Sequence, residues 1–103
     1  MPVTTTLRRK TTITKAEDWE KRTAGLLARL EPYLQKQAGF VSHALAREGD
    51  AGAMTQTTVW ATDEDCAHYI RGGAAAMAAT WIDGFLPTAP YPNGSWVRET
   101  VAG

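Results

Sequence analysis

Two histidines are the side chains of this sequence best suited to move a proton near neutral pH. His68 follows Glu64 by four residues on a predicted helix, so it either acts as a general base or forms a solvated ion pair with that carboxylate. His43 alternates with Val41 and Leu45 on a predicted strand, where a histidine either packs in the core or lines a pocket. The pattern offers one candidate base on a helix and a second polar side chain on a strand.

Large aromatic side chains are frequent for a chain of this size, with four tryptophans among 103 residues. Trp60 ends a predicted central strand, where an indole can pack in the core and also form a flat wall for a planar ligand. Tyr69, Met77 and Trp81 are expected on one side of the helical region, either packing against the sheet or lining a pocket. Tyr91 lies in a proline-rich segment that is either a connector or a lid over that pocket.

Charge and cysteine content exclude several other classes of function. Eleven basic residues balance eleven acidic ones, so no net field draws the protein to nucleic acid or to an anionic membrane. The lone Cys66 cannot form an intramolecular disulfide and is expected to be buried and reduced.

The N-terminus lacks the apolar segment of a signal peptide, and no stretch is long enough to cross a bilayer, so we expect a cytoplasmic protein.

Motifs for several other kinds of catalysis are missing from the sequence. There is no glycine-rich phosphate loop, nucleophile elbow or paired-cysteine motif. Two histidines without a suitable carboxylate cluster also argue against a first-row metal site. We therefore expect no bound metal and no machinery for nucleophilic hydrolysis.

Hydrophobic periodicity predicts one domain over residues 1–103 with the element order β-α-β-β-α-β. Strands are predicted at residues 3–13, 40–47, 53–61 and 95–101. Thr62, three residues before Asp65, is expected to cap a second helix that Gly72-Gly73 interrupts and that resumes over residues 74–82. This order is that of the ferredoxin-like fold, an antiparallel four-stranded sheet with helices on one face.

Local signals predict where the first and last helices begin and end. Thr14 and Glu17 have the spacing of a capping box. Pro32 predicts a kink or a restarted last turn, Gly39 a C-cap after the first helix, and Gly84 the end of the last helical piece.

Alternation predicts which strand residues share a face of the sheet. In the second strand it groups Val41 and His43 with Leu45, and it puts Phe40 on the opposite face. Helices can cover only one face of the sheet, so the other face needs a cover. We expect that cover to be a second copy of the chain.

The run Gly39-Phe40-Val41-Ser42, followed by a hairpin and by Thr58-Val59-Trp60 just before the next helix, resembles the antibiotic biosynthesis monooxygenase family of dimeric α/β barrels. A "GF" start of strand two and a "VW" end of strand three are recurrent marks of that family. The likeness in element order covers nearly the whole chain. It implies a homodimer in which sheets pair across a two-fold axis, while each subunit keeps a pocket between its own sheet and helices.

The resemblance also separates the branches of this family. The haem-degrading branch pairs an Asn on strand one with a Trp in the second helix and a haem-ligating His. This chain has Tyr69 at the position of that Trp, Ala79 or Thr80 at that of the His, and no Asn on strand one. Haem degradation is disfavoured, and we expect no cofactor.

The polyketide anthrone oxygenases are the branch that this chain resembles more closely. They use an Asn four residues before the strand-three Trp, and those two positions are Gln56 and Trp60 here. A glutamine keeps the amide that can hydrogen-bond a phenolate or its peroxide, although the extra methylene displaces it. The Tyr that these enzymes carry in the second helix is replaced by Cys66.

These observations predict a cofactor-independent monooxygenase or related tailoring enzyme that acts on a planar aromatic, polyketide-like small molecule. The expected catalytic set is Gln56 as oxyanion donor, Trp60 as platform and His68 as base. The expected substrate-binding residues are His43, Tyr69, Met77, Trp81 and Tyr91. A non-oxidative cyclase, dehydratase or isomerase, and a binding protein without catalysis, are the alternatives that the residues leave open.

Overall fold

The computed structural model of the chain describes residues 2–48, 53–86 and 97–102. Its elements are β1 (Val3–Lys10), α1 (Ala16–Gln35), β2 (Phe40–Glu48), β3 (Ala53–Trp60), α2 (Asp63–Arg71), α3 (Ala74–Phe85) and β4 (Val97–Ala102). The strands form one antiparallel sheet in the order β2-β3-β1-β4. This is the α+β, ferredoxin-like arrangement that the sequence predicts. The predicted hairpin turn at residues 49–52, and Tyr91 with its proline-rich segment, lie outside the described residues.

The two central strands alternate as predicted, with one face towards the helices. In β3 this inner face carries Met54, Gln56, Thr58 and Trp60, all buried. β1 ends at Lys10 because its pairing with β3 ends there, opposite Ala53, and not at residue 13 as predicted. Residues 11–13 then turn towards α1, and the hydroxyl of Thr11 accepts a hydrogen bond from the backbone N–H of Ile13 at 3.2 Å.

The predicted facing of β2 is wrong at its start, because the strand contains a β-bulge. Phe40 pairs with Trp60 and Ser42 with Val59, so Val41 is an extra residue between the two pairs. Phe40 therefore shares the inner face with His43 instead of opposing it. The side chain of Val41 is displaced towards solvent, where the residue is 54% exposed.

Helix α1 begins later than the predicted capping box. Lys15 occupies the N-cap position without a side-chain cap, and Thr14 precedes it. The helix continues through Pro32 to Gln35, so the last turn is not restarted, and Lys36 rather than Gly39 is the C-cap. The buried stripe consists of Thr23, Leu26, Leu30 and Leu34, which lie three or four residues apart.

Gly39 instead makes the turn that leads into β2. Its φ angle of +77° lies in the left-handed region, and a Cβ atom at this position would lie 2.0 Å from a carboxylate oxygen of Asp65. Its carbonyl oxygen accepts a hydrogen bond from the N–H of Ala61 at 2.8 Å. Glycine is required here by both the backbone angle and the close approach of α2.

Helices α2 and α3 follow the predicted interruption at the double glycine. The hydroxyl of Thr62 accepts a hydrogen bond from the N–H of Asp65 at 3.1 Å, which confirms the predicted cap. Gly73 adopts a φ angle of +96° and separates the two helices. α3 does not stop at Gly84 but runs to Phe85, whose carbonyl oxygen accepts a hydrogen bond from Arg22 at 3.3 Å. No helix in the described part of the chain has the length and apolarity needed to cross a bilayer.

Candidate functional site

The aromatic end of the inner face is built around Trp60, which is fully buried. The ring of Tyr69 stacks on the indole with centroids 4.5 Å apart and an interplanar angle of 29°. Phe40 meets the indole edge-on at 5.8 Å, a contact that the bulge in β2 makes possible. The indole N–H donates to the hydroxyl of Thr58 at 3.0 Å. Trp60 is thus a core residue whose polar atom is satisfied within its own strand.

A polar chain crosses from the same face of β3 to helix α1. The amide nitrogen of Gln56 lies 3.3 Å from Nε2 of His43, and Nδ1 of His43 lies 2.9 Å from Oε1 of Glu31. Gln56 is 1% exposed and the imidazole is fully buried, whereas the side chain of Glu31 is 32% exposed. We call this group the Glu31–His43–Gln56 chain. It connects a buried amide to a carboxylate in contact with water.

The β-bulge explains why His43 reaches this chain. After the bulge, His43 pairs with Thr58 and Leu45 pairs with Gln56. His43 and Gln56 are diagonal neighbours on adjacent strands, a separation that long side chains can span. If Val41 instead paired with Val59 in a regular register from Phe40 and Trp60, His43 would face the outer side of the sheet.

A cavity of about 340 Å³ lies between α2 and the strands β1 and β4, at the small end of the range for ligand sites. Its lining is Val3, Asp63, Cys66, Ala67, Ile70, Arg71 and Thr100. Cys66 is buried, as predicted. Val3 is the cross-strand partner of Trp60, and Cys66 precedes Tyr69 by three residues on α2. The cavity therefore adjoins the aromatic end of the inner face.

His68 lies apart from the predicted partners Gln56 and Trp60. It is exposed on α2, about 200° around the helix from the buried Cys66 and about 100° from the buried Tyr69. It lines a shallow surface groove with Glu64 and the end of α2. The structure brings His43, not His68, into contact with the buried amide.

The other predicted binding residues also separate. Tyr69 lies at the aromatic end, but Met77 is 43% exposed, and Trp81 packs edge-on against Tyr33 of α1 at 4.8 Å with Arg29 nearby. The sheet-facing positions of α3 are taken by Ala75, Ala78 and Ile82. Met77 therefore lies on the outer side of the helical layer, whereas Trp81 is partly buried between α1 and α3, packed against the core.

Glu31 is the site residue that the sequence analysis missed. The periodic pattern marks only its neighbour Leu30 as buried, and nothing local indicates that the adjacent carboxylate meets a strand. Only the packing of α1 on β2 identifies Glu31, because it brings this residue into contact with His43, twelve positions further along the chain.

A second charged pair lies on the inner face at some distance from the chain. Arg9 of β1 contacts the carboxylate of Asp83 of α3 at 2.6 Å. Burial raises the pKa of Asp83, and the positive charge of Arg9 partly offsets this by lowering it. The pair connects β1 to α3.

The strand order and helix placement define a ferredoxin-like domain, and solved structures share that fold. SnoaB, a cofactor-independent oxygenase from Streptomyces nogalater, matches with a TM-score of 0.65 at 17% identity, over 99% of this chain and 92% of that one. A monooxygenase from the gene ActVA-Orf6 of Streptomyces coelicolor, in complex with nanaomycin D, matches with a TM-score of 0.63 at 16% identity, over 98% and 88%.

A conserved protein from Methanosarcina mazei matches equally well, with a TM-score of 0.65 at 12% identity, over 98% of this chain and 91% of that one. At these identities the likeness establishes the fold. It confirms the fold that the resemblance implied. Neither a protein-family model nor a curated protein sequence matches the chain.

Proposed function

We propose that this protein is a cofactor-independent oxygenase of planar phenolic, polyketide-like compounds. The observation that carries the proposal is the buried amide of Gln56, hydrogen-bonded to His43 on the same strand face as Trp60. Such a reaction needs a dry site, a base and an amide donor, because the deprotonated substrate itself supplies the electrons to dioxygen. The fold shared with SnoaB and the ActVA-Orf6 protein supports the same chemistry.

The substrate is proposed to bind in the cavity beside α2. Val3, Cys66 and Ile70 supply apolar wall, and Arg71 and Thr100 supply polar groups at the rim. Gln56 is buried and lies four residues further from the cavity along β3 than Trp60, so the proposed reaction requires the ligand to displace the stacked rings of Trp60 and Tyr69 to reach the amide. The ring of Tyr69 covers one face of the Trp60 indole, so a ligand can stack on that face only if the Tyr69 side chain rotates away.

Oxygen uptake with a dihydroxyanthrone, in buffer treated with a metal chelator, tests the reaction. We expect uptake by the wild-type protein and a loss of roughly 100-fold in Gln56→Leu, because one oxyanion donor is removed at nearly constant volume. Gln35→Leu is the matched control, since Gln35 is exposed on α1. Wild-type protein that binds the anthrone without consuming oxygen would overturn the proposal, and an isomerised product would favour non-oxidative chemistry.

Closing the cavity tests where the ligand binds. Ile70→Trp adds bulk at the wall and should weaken anthrone binding at least about tenfold, while Ala76→Trp introduces the same side chain at an exposed position of α3. Equal affinities of the two variants, measured by equilibrium dialysis, would exclude the cavity as the binding site.

We also propose that the active form is a homodimer that pairs through the outer face of the sheet. That face carries short side chains such as Thr6 and Thr57, whose hydroxyl oxygens lie 3.4 Å apart, together with Val59. Hydroxyls can donate and accept across a two-fold axis. Light scattering at micromolar concentration should give the dimer mass, and Thr57→Arg should give the monomer mass. A monomer mass for the wild-type protein would exclude this pairing.

A further inference from the structure

We infer that Glu31 and His43 form a proton-accepting dyad that deprotonates the substrate beside Gln56. The inference rests on the proposed function for the identity of the substrate, but the geometry of the dyad is independent of it. It assigns the role of base to a buried strand histidine instead of the exposed helix histidine that the sequence favours.

Hydrogen-bond chemistry determines where the protons lie in the Glu31–His43–Gln56 chain. An amide nitrogen can only donate, so in its 3.3 Å contact the Nε2 atom of His43 must accept. The neutral ring then carries its proton on Nδ1 and donates it to Oε1 of Glu31 at 2.9 Å. Nε2, which faces the buried amide, is the basic atom of the ring.

This arrangement accounts for both products of a proton transfer. The substrate O–H or C–H bond breaks, its proton moves to Nε2, and the electron pair stays on the substrate. The carboxylate of Glu31 stabilises the imidazolium that results, as the acidic member of a carboxylate–histidine pair does. Once protonated, Nε2 can no longer accept the hydrogen bond from the Gln56 N–H. Both amide hydrogens of Gln56 can then donate to the new oxyanion. Dioxygen, the oxidant of the proposed reaction, then forms a C–O bond with the carbanion of an anthrone substrate; the resulting peroxide takes the proton from Nε2 and loses water to leave a carbonyl group.

The two members of the dyad differ in their exposure to water. The imidazole is shielded from water, which strengthens its interaction with the carboxylate compared with an exposed pair. The side chain of Glu31 is 32% exposed and remains in contact with water, so protons can exchange between the dyad and solvent. His68 has no comparable shelter on α2.

Nitrogen chemical shifts of the full-length protein test the tautomer without any ligand. With ¹⁵N-labelled histidine at neutral pH, we expect His43 to show a protonated Nδ1 and an unprotonated Nε2. The opposite orientation of the Gln56 amide would place its oxygen against Nε2, and Nε2 would then have to carry a proton. Observing a protonated Nε2 in the free protein, in a neutral or a doubly protonated ring, would overturn the inference.

Anaerobic addition of a dihydroxyanthrone tests the proton transfer itself. In wild-type protein we expect the absorbance band of the anthrone anion to appear while His43 becomes doubly protonated. Glu31→Gln should bind the anthrone with affinity within about threefold of wild type, yet form the anion roughly 100-fold more slowly, as expected for loss of base catalysis. Glu20→Gln, which changes an exposed carboxylate on the same helix, should match wild type in both measurements.

The outcomes separate this inference from the proposed function. Wild-type anion formation that is unaffected by Glu31→Gln, or no anion in wild type, would overturn the dyad. An anion that forms through the dyad but does not take up oxygen when air is admitted would support the dyad and overturn the oxygenase.

Discussion

The two faces of the sheet belong to the same strands but carry very different side chains. The described inner face holds the buried side chains of Trp60 and Met54, together with those of Gln56 and His43. The described outer face carries mainly threonine, serine and alanine, with Arg8 and Lys10 exposed at one end. Packing and chemistry are therefore concentrated on one face, and the other tolerates small polar residues.

The bulge at Val41 shows how a single residue distributes side chains between these faces. It keeps both Phe40 and His43 on the inner face, which a regular alternation could not do. The aromatic end and the polar chain thus depend on the same irregularity. Adjacent residues of a strand lie on opposite faces of the sheet. Substituting each of two such residues should show how much each face contributes to stability.

The largest difference between the faces is expected at adjacent residues of β3. Trp60→Ala should lower the free energy of unfolding by about 3–5 kcal/mol, because it removes a fully buried indole and leaves a cavity. Val59→Ala on the outer face should cost less than about 1 kcal/mol. Urea denaturation of both variants measures this, and equal losses would mean that the outer face is as deeply buried as the inner one.

The turn that leads into the bulge should be the next most sensitive position. Gly39→Ala should cost about 3 kcal/mol, since it combines a positive φ angle with a Cβ atom that would meet the carboxylate of Asp65. Gly84→Ala is the matched control, because a Cβ there meets no atom within 4 Å and alanine favours the helix by up to about 1 kcal/mol. Thermal unfolding should move in opposite directions for the two variants.

A smaller difference is expected between the neighbours His43 and Ser42. His43→Leu should cost about 2 kcal/mol, because it leaves the buried amide of Gln56 without its hydrogen-bond partner. Ser42→Ala, on the exposed outer face, should change the free energy of unfolding by less than about 0.5 kcal/mol. If His43→Leu proved as stable as wild type, the polar chain would contribute nothing to folding.

The smallest effect is expected at Asp83, which is half-exposed at the rim of the inner face. Burial raises the pKa of its carboxyl above the ordinary value of 3.8, with Arg9 opposing the rise. Between 3.8 and the raised pKa the folded protein binds more protons than the unfolded chain, so the free energy of unfolding falls as pH increases through that range.

Asp83→Asn should remove this fall and should change stability near pH 7 by less than about 0.5 kcal/mol. Denaturation of wild type and Asp83→Asn across the acidic range measures the difference. A wild-type stability that rises with pH while Asp83→Asn stays level would contradict the stated direction.

Much of the fold follows from local patterns in the sequence. The period of two along β3 puts Gln56 and Trp60 on one face, which the structure shows to be the buried one, and Thr62 correctly predicts the start of α2. The capping box at Thr14 was wrong because the chain needs residues 11–15 to turn from β1 to α1, so the helix begins at Ala16. The spacing of a Thr and a Glu in the sequence is the same whether or not a helix begins at the Thr, so the motif alone does not locate the helix start.

The candidate site was only half predictable. The sequence indicates Gln56, Trp60 and His68 as a catalytic set, and the structure buries Gln56 and Trp60 on one face of the sheet but leaves His68 exposed on α2. Glu31 carries no signal in the sequence. His43 and His68 look equivalent in a sequence because their chemistry is the same. Burial and partners distinguish them, and both depend on elements distant in the chain.

The sequence by itself determined the element order and which residues of β3 share a face, because these depend on side-chain periods of 2 and 3.6 residues within single elements. Tertiary structure alone decided that β2 bulges at Val41 and that α1 places Glu31 against His43. A bulge is set by pairing between strands, and a contact between helix and strand is set by how the layers pack. Neither the bulge nor the helix–strand contact produces a periodic pattern in the sequence of the residues involved.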